Sequence, residues 1–258
     1  MKTFPPLVII AVFFAVFIGL PIGLYILLTQ GRRRIMREIR ETASQHGWEY
    51  RRMRWQGDPT AFRIEGWSRI RTKWTLKSEG ADGNTRGWSV RLGMRFPGLG
   101  GDADVAILPR EPGDQRITHL ASQATPAIQA RVAAFSGAIA SGAAFLRDAH
   151  EIPTGLPAFD AAYSVLALPQ RPLSPPIDPA LAERLLHWPQ DAIAPHSLLA
   201  WRDTFGFHVE ARLPTTPNWE TVSYFIALAE DVSLRIPPPT GSTAPKGILD
   251  KLASGFMA

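Results

Sequence analysis

Residues Leu7–Leu28 read LVIIAVFFAVFIGLPIGLYILL, without a single charged side chain, and three arginines, Arg32, Arg33 and Arg34, follow almost at once. At about 1.5 Å per residue a helix of this length reaches roughly 30 Å, the thickness of a bilayer's hydrocarbon core. Inside lipid, a helix satisfies its own backbone polar groups, which an irregular segment cannot do. A secretory leader has a shorter apolar region, roughly 7–15 residues, and a small-residue cleavage site after it. A core helix of this length without a polar stripe would be unusual in a chain of this size. The run is therefore expected to be a retained, single-pass transmembrane helix within residues 1–30, kinked near Pro21.

Charge fixes the expected orientation. Lys2 stands before the run, whereas Arg32, Arg33, Arg34, Arg37 and Arg40 crowd the other side. Basic flanks are retained on the cytoplasmic side, so the remaining chain is expected at the inner face of the cell (inner) membrane. From Gly31 to Arg95 the net charge is +9, and from Phe96 to Ala258 it is −5. Basicity beside a bilayer favours anionic lipid headgroups over nucleic acid as its partner. The chain has no cysteine, which is compatible with either redox compartment.

The pattern beyond the anchor predicts an α+β domain: an antiparallel sheet with packing helices. A basic juxtamembrane helix is expected over 31–47, with Ile35, Ile39 and Ala43 at helical spacing and Gly47 as its stop. The soluble domain is expected over 48–236, divisible into halves 48–150 and 151–236, before a mobile proline-rich tail over 237–258. The segment Phe62–Lys77 alternates as one long strand. Phe62, Ile64, Ile70, Trp74 and Leu76 share one parity; Arg63, Glu65, Arg69, Arg71, Lys73 and Lys77 share the other. A turn at Asp82-Gly83-Asn84 and a second run, with Trp88, Val90, Leu92, Met94 and Phe96 inward, complete a hairpin whose outer face is cationic.

Val105–Leu108 reads as a third strand, and a helix is expected from Thr125-Pro126 to about His150. Its uncharged stretch Val132–Leu146 is too short and too weakly apolar for a second span. Later elements are a strand at Tyr163–Leu168, a helix started by Asp178-Pro179, a hairpin across Asp203-Thr204 and a helix from about Pro217 to Leu234. In that hairpin Phe205, Phe207, Val209, Ala211 and Leu213 are expected inward, with His208, Glu210 and Arg212 in water.

Chemistry-bearing motifs are sparse. The six histidines lack ligand spacing, so no metal or cofactor site is expected and His208 reads as a solvated strand residue. Gly98-Leu99-Gly100-Gly101 lacks the Gly-Lys-Ser/Thr ending of a phosphate loop and reads as a turn. Asp102 and Asp104 are too few oxygen donors for a hard cation. No Gly-x-Ser-x-Gly nucleophile motif occurs.

The anchor, Gly47-Trp48-Glu49-Tyr50, the basic hairpin, and Thr154-Gly155-Leu156-Pro157-Ala158-Phe159-Asp160 before Tyr163-Ser164-Val165 together resemble a loose group of uncharacterised bacterial single-pass membrane-anchored proteins. The resemblance implies membrane attachment and brings no catalytic residue. The favoured function is a non-enzymatic accessory or scaffold domain at the inner face of the membrane, with a protein partner. The alternative is a membrane-tethered enzyme or ligand-binding domain whose site is assembled from dispersed residues. Arg32, Arg33, Arg34, Arg37, Arg40, Arg63, Arg69, Arg71 and Arg91 are the candidate membrane-surface residues.

Overall fold

The computed structural model describes residues 17, 19–53, 61–80, 90–101, 105–110, 149–168, 177–188, 198–203, 205–213 and 215–236. The 7–16 part of the apolar run lies outside them, as do Trp88, the Asp82–Asn84 turn, Asp102 and Asp104, residues 125–148 of the expected Ala-rich helix, and the tail. No helix among the described residues is long and apolar enough to cross a membrane.

A long helix, α1 (Leu20–Gln45), contains the end of the apolar run, the arginine cluster and the juxtamembrane segment without a break. Its last turns are amphipathic in the expected sense: Ile39 and Ala43 are fully buried, with Ile35 and Met36 packed beside them. It ends at Gly47, whose φ of +70° suits glycine, and Trp48 N–H donates to Ala43 O at 2.9 Å. The chain reverses there into β1 (Glu49–Arg52), followed by β2 (Phe62–Trp67), β3 (Lys73–Gly80) and β4 (Val90–Phe96). A short 3-10 turn at Pro97–Leu99 leads toward β5 (Val105–Pro109). Then come β6 (His150–Glu151), α2 (Pro157–Ala162), β7 (Tyr163–Ala167), α3 (Pro179–Leu186), β8 (Leu198–Asp203), β9 (Gly206–Leu213) and α4 (Trp219–Arg235).

These strands form one antiparallel sheet in the order β1-β2-β3-β4-β9-β8-β5-β7-β6. The join between early and late strands is β4 with β9, in the register Val90↔Leu213 to Phe96↔Phe207. One face is apolar and lies beneath the helices. Phe62, Ile64, Trp74, Leu76, Leu92, Phe96, Phe207 and Val209 meet Leu181, Leu185, Val222 and Phe225 there.

The helix starts follow capping chemistry. Asp178 Oδ1 accepts from Leu181 N–H at 2.8 Å, with Pro179 at the first helical position, and Asn218 Oδ1 accepts from Thr221 N–H at 2.8 Å. The Thr154–Asp160 motif is a turn held by its own side chains. Asp160 Oδ1 accepts from Thr154 N–H at 3.1 Å and from its hydroxyl at 2.8 Å. Phe159 drops into the core against Tyr163, with ring centroids 5.1 Å apart.

Two expectations need correction. Phe62–Lys77 is not one strand: the chain reverses at Ser68–Thr72, where Ser68 N–H donates to Thr72 O at 2.9 Å. The register Phe62↔Ser78 and Gly66↔Trp74 pairs even positions with even positions. The alternation therefore passes through the turn unbroken, and the sequence pattern hides the reversal. Phe205 is not inward: it stands in the β8–β9 turn and is 68 % exposed.

Gly66 decides how the sheet end packs. A Cβ there would lie 2.5 Å from Trp74 Cζ2 and 2.8 Å from Trp48 Cδ1, two rings in edge contact at 5.0 Å. Gly66→Ala is expected to cost about 1–3 kcal/mol through overpacking, and Trp74→Ala about 3–5 kcal/mol through the cavity. In the double variant the Gly66→Ala cost should shrink to the part owed to Trp48, because the Trp74 indole is gone. Denaturant unfolding of the four proteins measures the coupling; strictly additive losses would show that the contact is not what constrains position 66.

Candidate functional site

The second face of the sheet carries the chemistry. Odd-numbered positions of β2, β3 and β4 place Arg63, Glu65, Lys73, Lys77, Glu79, Arg91 and Arg95 there, and β9 adds His208, Glu210 and Arg212. Cross-strand neighbours of opposite charge attract, and the pairs are close. Glu65 sits between Arg63 at 2.6 Å and Lys73 at 2.7 Å. The Lys73 hydrogen bond holds the Glu65 carboxyl below its ordinary value. Glu79 is gripped by Arg91 at 2.6 Å, with Lys77 at 3.9 Å. Toward β8 and β5 the same face turns apolar, with Ala106, Leu166, Leu199 and Trp201 buried together.

Glu210 stands where the charged and apolar parts of this face meet. Its flanking partners are Gly93 on β4 and Leu199 on β8. The residue is 5 % exposed, and its Oε1 has no hydrogen-bond partner among the described residues. Burial pushes the carboxyl up to about 7, against the pull of Arg91 and Arg212 and with a further push from Glu79. The expectation that Glu210 lies in water is therefore corrected. β9 is an interior strand, so both sides of Glu210 are covered by neighbours, a placement its own alternation cannot reveal. His208 is also half-buried rather than solvated. Its Nε2 lies 2.9 Å from Asp203 Oδ1, and its ring stacks on Trp201 at 4.9 Å.

Asp203 organises the β8–β9 turn, accepting from Phe205 N–H at 2.7 Å and Gly206 N–H at 3.1 Å. Burial raises its carboxyl, but His208 and these two donors outweigh that and leave it below its ordinary value. An Asp–His pair orients an imidazole for base catalysis only when a nucleophile reaches the ring's other nitrogen. Among the described residues no hydroxyl does so, and none form a group of three potential metal ligands. The pair reads as a turn clamp.

Arg202 faces the other way, into the core, and is 1 % exposed. Its Nε donates to Leu99 O at 3.1 Å and its Nη2 to Ile236 O at 2.7 Å, tying the 3-10 turn and the end of α4 to β8. Burial pulls this guanidinium down to about 10.

The nine candidate membrane-surface arginines fall into separate groups. Arg32, Arg33, Arg34, Arg37 and Arg40 are exposed along α1. Arg63 and Arg91 lie on the sheet face and cover carboxylates. Arg69 and Arg71 occupy the β2–β3 turn. Trp48 N–H bonds back to Ala43 O, and Arg40 acts on the Tyr50 hydroxyl two residues further along, in β1. So α1 runs back along β1, and its earlier turns, with Arg32–Arg34, lie toward the sheet end where β1 finishes, opposite the end holding Arg69 and Arg71.

No family model matches the chain, and the curated proteins yield no significant match. Among solved structures, the crystal structure of the mycobacterial trehalose monomycolate transport factor A overlays with a TM-score of 0.41 and 13 % identity, covering 81 % of this chain and 99 % of that one. Overlap this low carries no argument about activity.

Glu210 generates a pH prediction. Its folded value lies above the unfolded value of 4.5, so the folded state binds the extra proton and stability falls as pH rises between those two values. Glu210→Gln, neutral at every pH, should therefore stabilise the protein relative to wild type at pH 8, by up to about 3 kcal/mol. The two should converge at pH 4. Thermal unfolding in detergent at both pH values reads this; an equal effect at both would assign the change to packing rather than charge.

Proposed function

We propose that the chain is a membrane-tethered, non-enzymatic accessory or scaffold protein, anchored through Leu7–Leu28 with its α+β domain at the inner face of a bacterial membrane. The observation that carries this reading is the continuity of α1. The same helix that begins inside the apolar run ends with Ile39 and Ala43 fully buried in the sheet's core. A helix of 26 residues is about 39 Å long, and among its described side chains those packed into the core are Ile35, Met36, Ile39 and Ala43. The domain is thus carried on a stalk rather than a flexible linker.

Arg32, Arg33, Arg34, Arg37 and Arg40, all exposed on that stalk, supply the headgroup contact. Each basic side chain near an anionic leaflet contributes about 1 kcal/mol, decaying over a Debye length of about 8 Å. The hairpin arginines Arg63 and Arg91 belong instead to the sheet's own charge pairing. The likeness in motif order to single-pass bacterial membrane-anchored proteins supports the same reading.

The full chain should stay with membranes through an alkaline carbonate wash, whereas a chain lacking residues 1–30 should be released. A C-terminal reporter that works only in the cytoplasm should be active. Release of the full chain by carbonate would remove the anchor; activity of a periplasm-only reporter would invert the topology.

A further inference from the structure

The sheet end opposite the amino-terminal part of α1 combines exposed aromatic rings with cations. The registers Trp67↔Lys73, Thr75↔Arg95 and Asp203↔Gly206 bring the end of β2, the start of β3, the end of β4 and the β8–β9 turn to one rim. Two aromatic rings project from it: Trp67 is 67 % exposed and Phe205 68 %. Four cations stand among them. Arg71 and Arg95 are exposed and form no ion pair among the described residues. Arg69 reaches Glu230 only at 4.0 Å, and Lys73 is paired with Glu65.

Among the described residues, the carboxylates at this end do not offset the cations at the surface. Glu230 and Asp203 are buried, Glu65 is half-buried, and Glu49 at the sheet edge is held by Arg51 at 2.5 Å. The geometry holds these groups outward. Arg71 has a φ of +58°, making it the one non-glycine residue with positive φ among those described, at a hairpin position where glycine is favoured. Gly206 permits close crossing: a Cβ there would lie 2.8 Å from Phe96 O and 3.1 Å from Arg95 Cγ. Arg95 therefore lies across the turn beside Phe205.

We propose that this aromatic–basic rim is the docking surface for an acidic protein partner that receives Trp67 and Phe205 in apolar recesses. Exposed aromatic and arginine side chains are the residue types that dominate protein interfaces, and the unpaired cations select an acidic counterpart. A lipid surface uses similar residues, but the rim faces away from the end at which α1 leaves the domain. This orientation argument rests on the membrane-tethered reading, and it sets the rim beyond reach of the bilayer holding the anchor.

The full-length chain in neutral-lipid nanodiscs is titrated with a fluorescent peptide of Glu-Glu-Leu repeats and with a matched Gln-Gln-Leu peptide. The acidic peptide should bind at least tenfold tighter, and more weakly as salt rises. Trp67→Ser with Phe205→Ser, and Arg71→Glu with Arg95→Glu, should each weaken it at least tenfold, thermal unfolding confirming that both variants are folded. Arg37→Glu with Arg40→Glu, the same charge change on α1, should leave binding intact. Absence of binding, or equal loss from the α1 pair, overturns the proposal. So do photocrosslinks from positions 67 and 205 to phospholipid instead of protein in native membranes. Carbonate extraction reports the anchor independently, so a failed rim and a failed anchor give different results.

Discussion

Pairing of β4 with β9 brings Val90–Phe96 against a strand far later in the chain, and the closure entropy of that long excursion must be met by what the pairing creates. What it creates is one continuous apolar face. Leu92, Met94 and Phe96 on β4 become neighbours of Ala211, Val209 and Phe207 on β9, and Val222 and Phe225 of α4 cover the seam. Without that seam each half would present a sheet edge and half a core. Arg202 secures the same region from beneath, because its guanidinium bonds to two carbonyls that no strand satisfies, Leu99 O and Ile236 O. A buried charge holding two distant chain ends is tolerable only with such donors in place.

The same pairing explains why the two faces differ in kind. On the helix side the strands contribute large hydrocarbons throughout. On the other side carboxylates are drawn beneath arginines and lysines, so Glu65 and Glu79 are nearly covered while their partners remain partly in solvent. Glu210 has charged neighbours yet, among the described residues, no bond to its Oε1. It marks the limit of the charge ladder, where the next strand offers Leu199 in place of a cation.

Local pattern was a good guide where a residue's fate depended on its own element. Ile39 and Ala43 on α1, the Asp178 helix start, and the inward parity of Phe62, Trp74, Leu92 and Val209 are all governed by periodicity and capping chemistry. It failed where fate depended on neighbours. The reversal at Ser68–Thr72 left parity intact and so left no trace in the alternation. Glu210 and His208 read as solvent-facing because nothing in residues 205–213 says that the strand has company on both sides. The arginines were recognisable as a basic excess, but their separation into α1, sheet face and β2–β3 turn is a property of the sheet order. The Thr154–Asp160 motif was legible as a turn, since Asp160 bonds within six residues of itself.

Because Leu20 and Gln45 belong to one unbroken helix, the domain's azimuth and height relative to the first turns of that helix are set by residue count. Each residue added between Gly31 and Glu38 would turn the sheet by about 100° around the helix axis and lift it by about 1.5 Å. A single insertion would swing every surface of the domain to a different compass bearing. Seven inserted residues would come within about 20° of the original bearing while raising the domain by about 10 Å. Chain length in this stretch therefore acts as a screw thread, coupling height to heading, and these two quantities cannot be varied independently without breaking the helix.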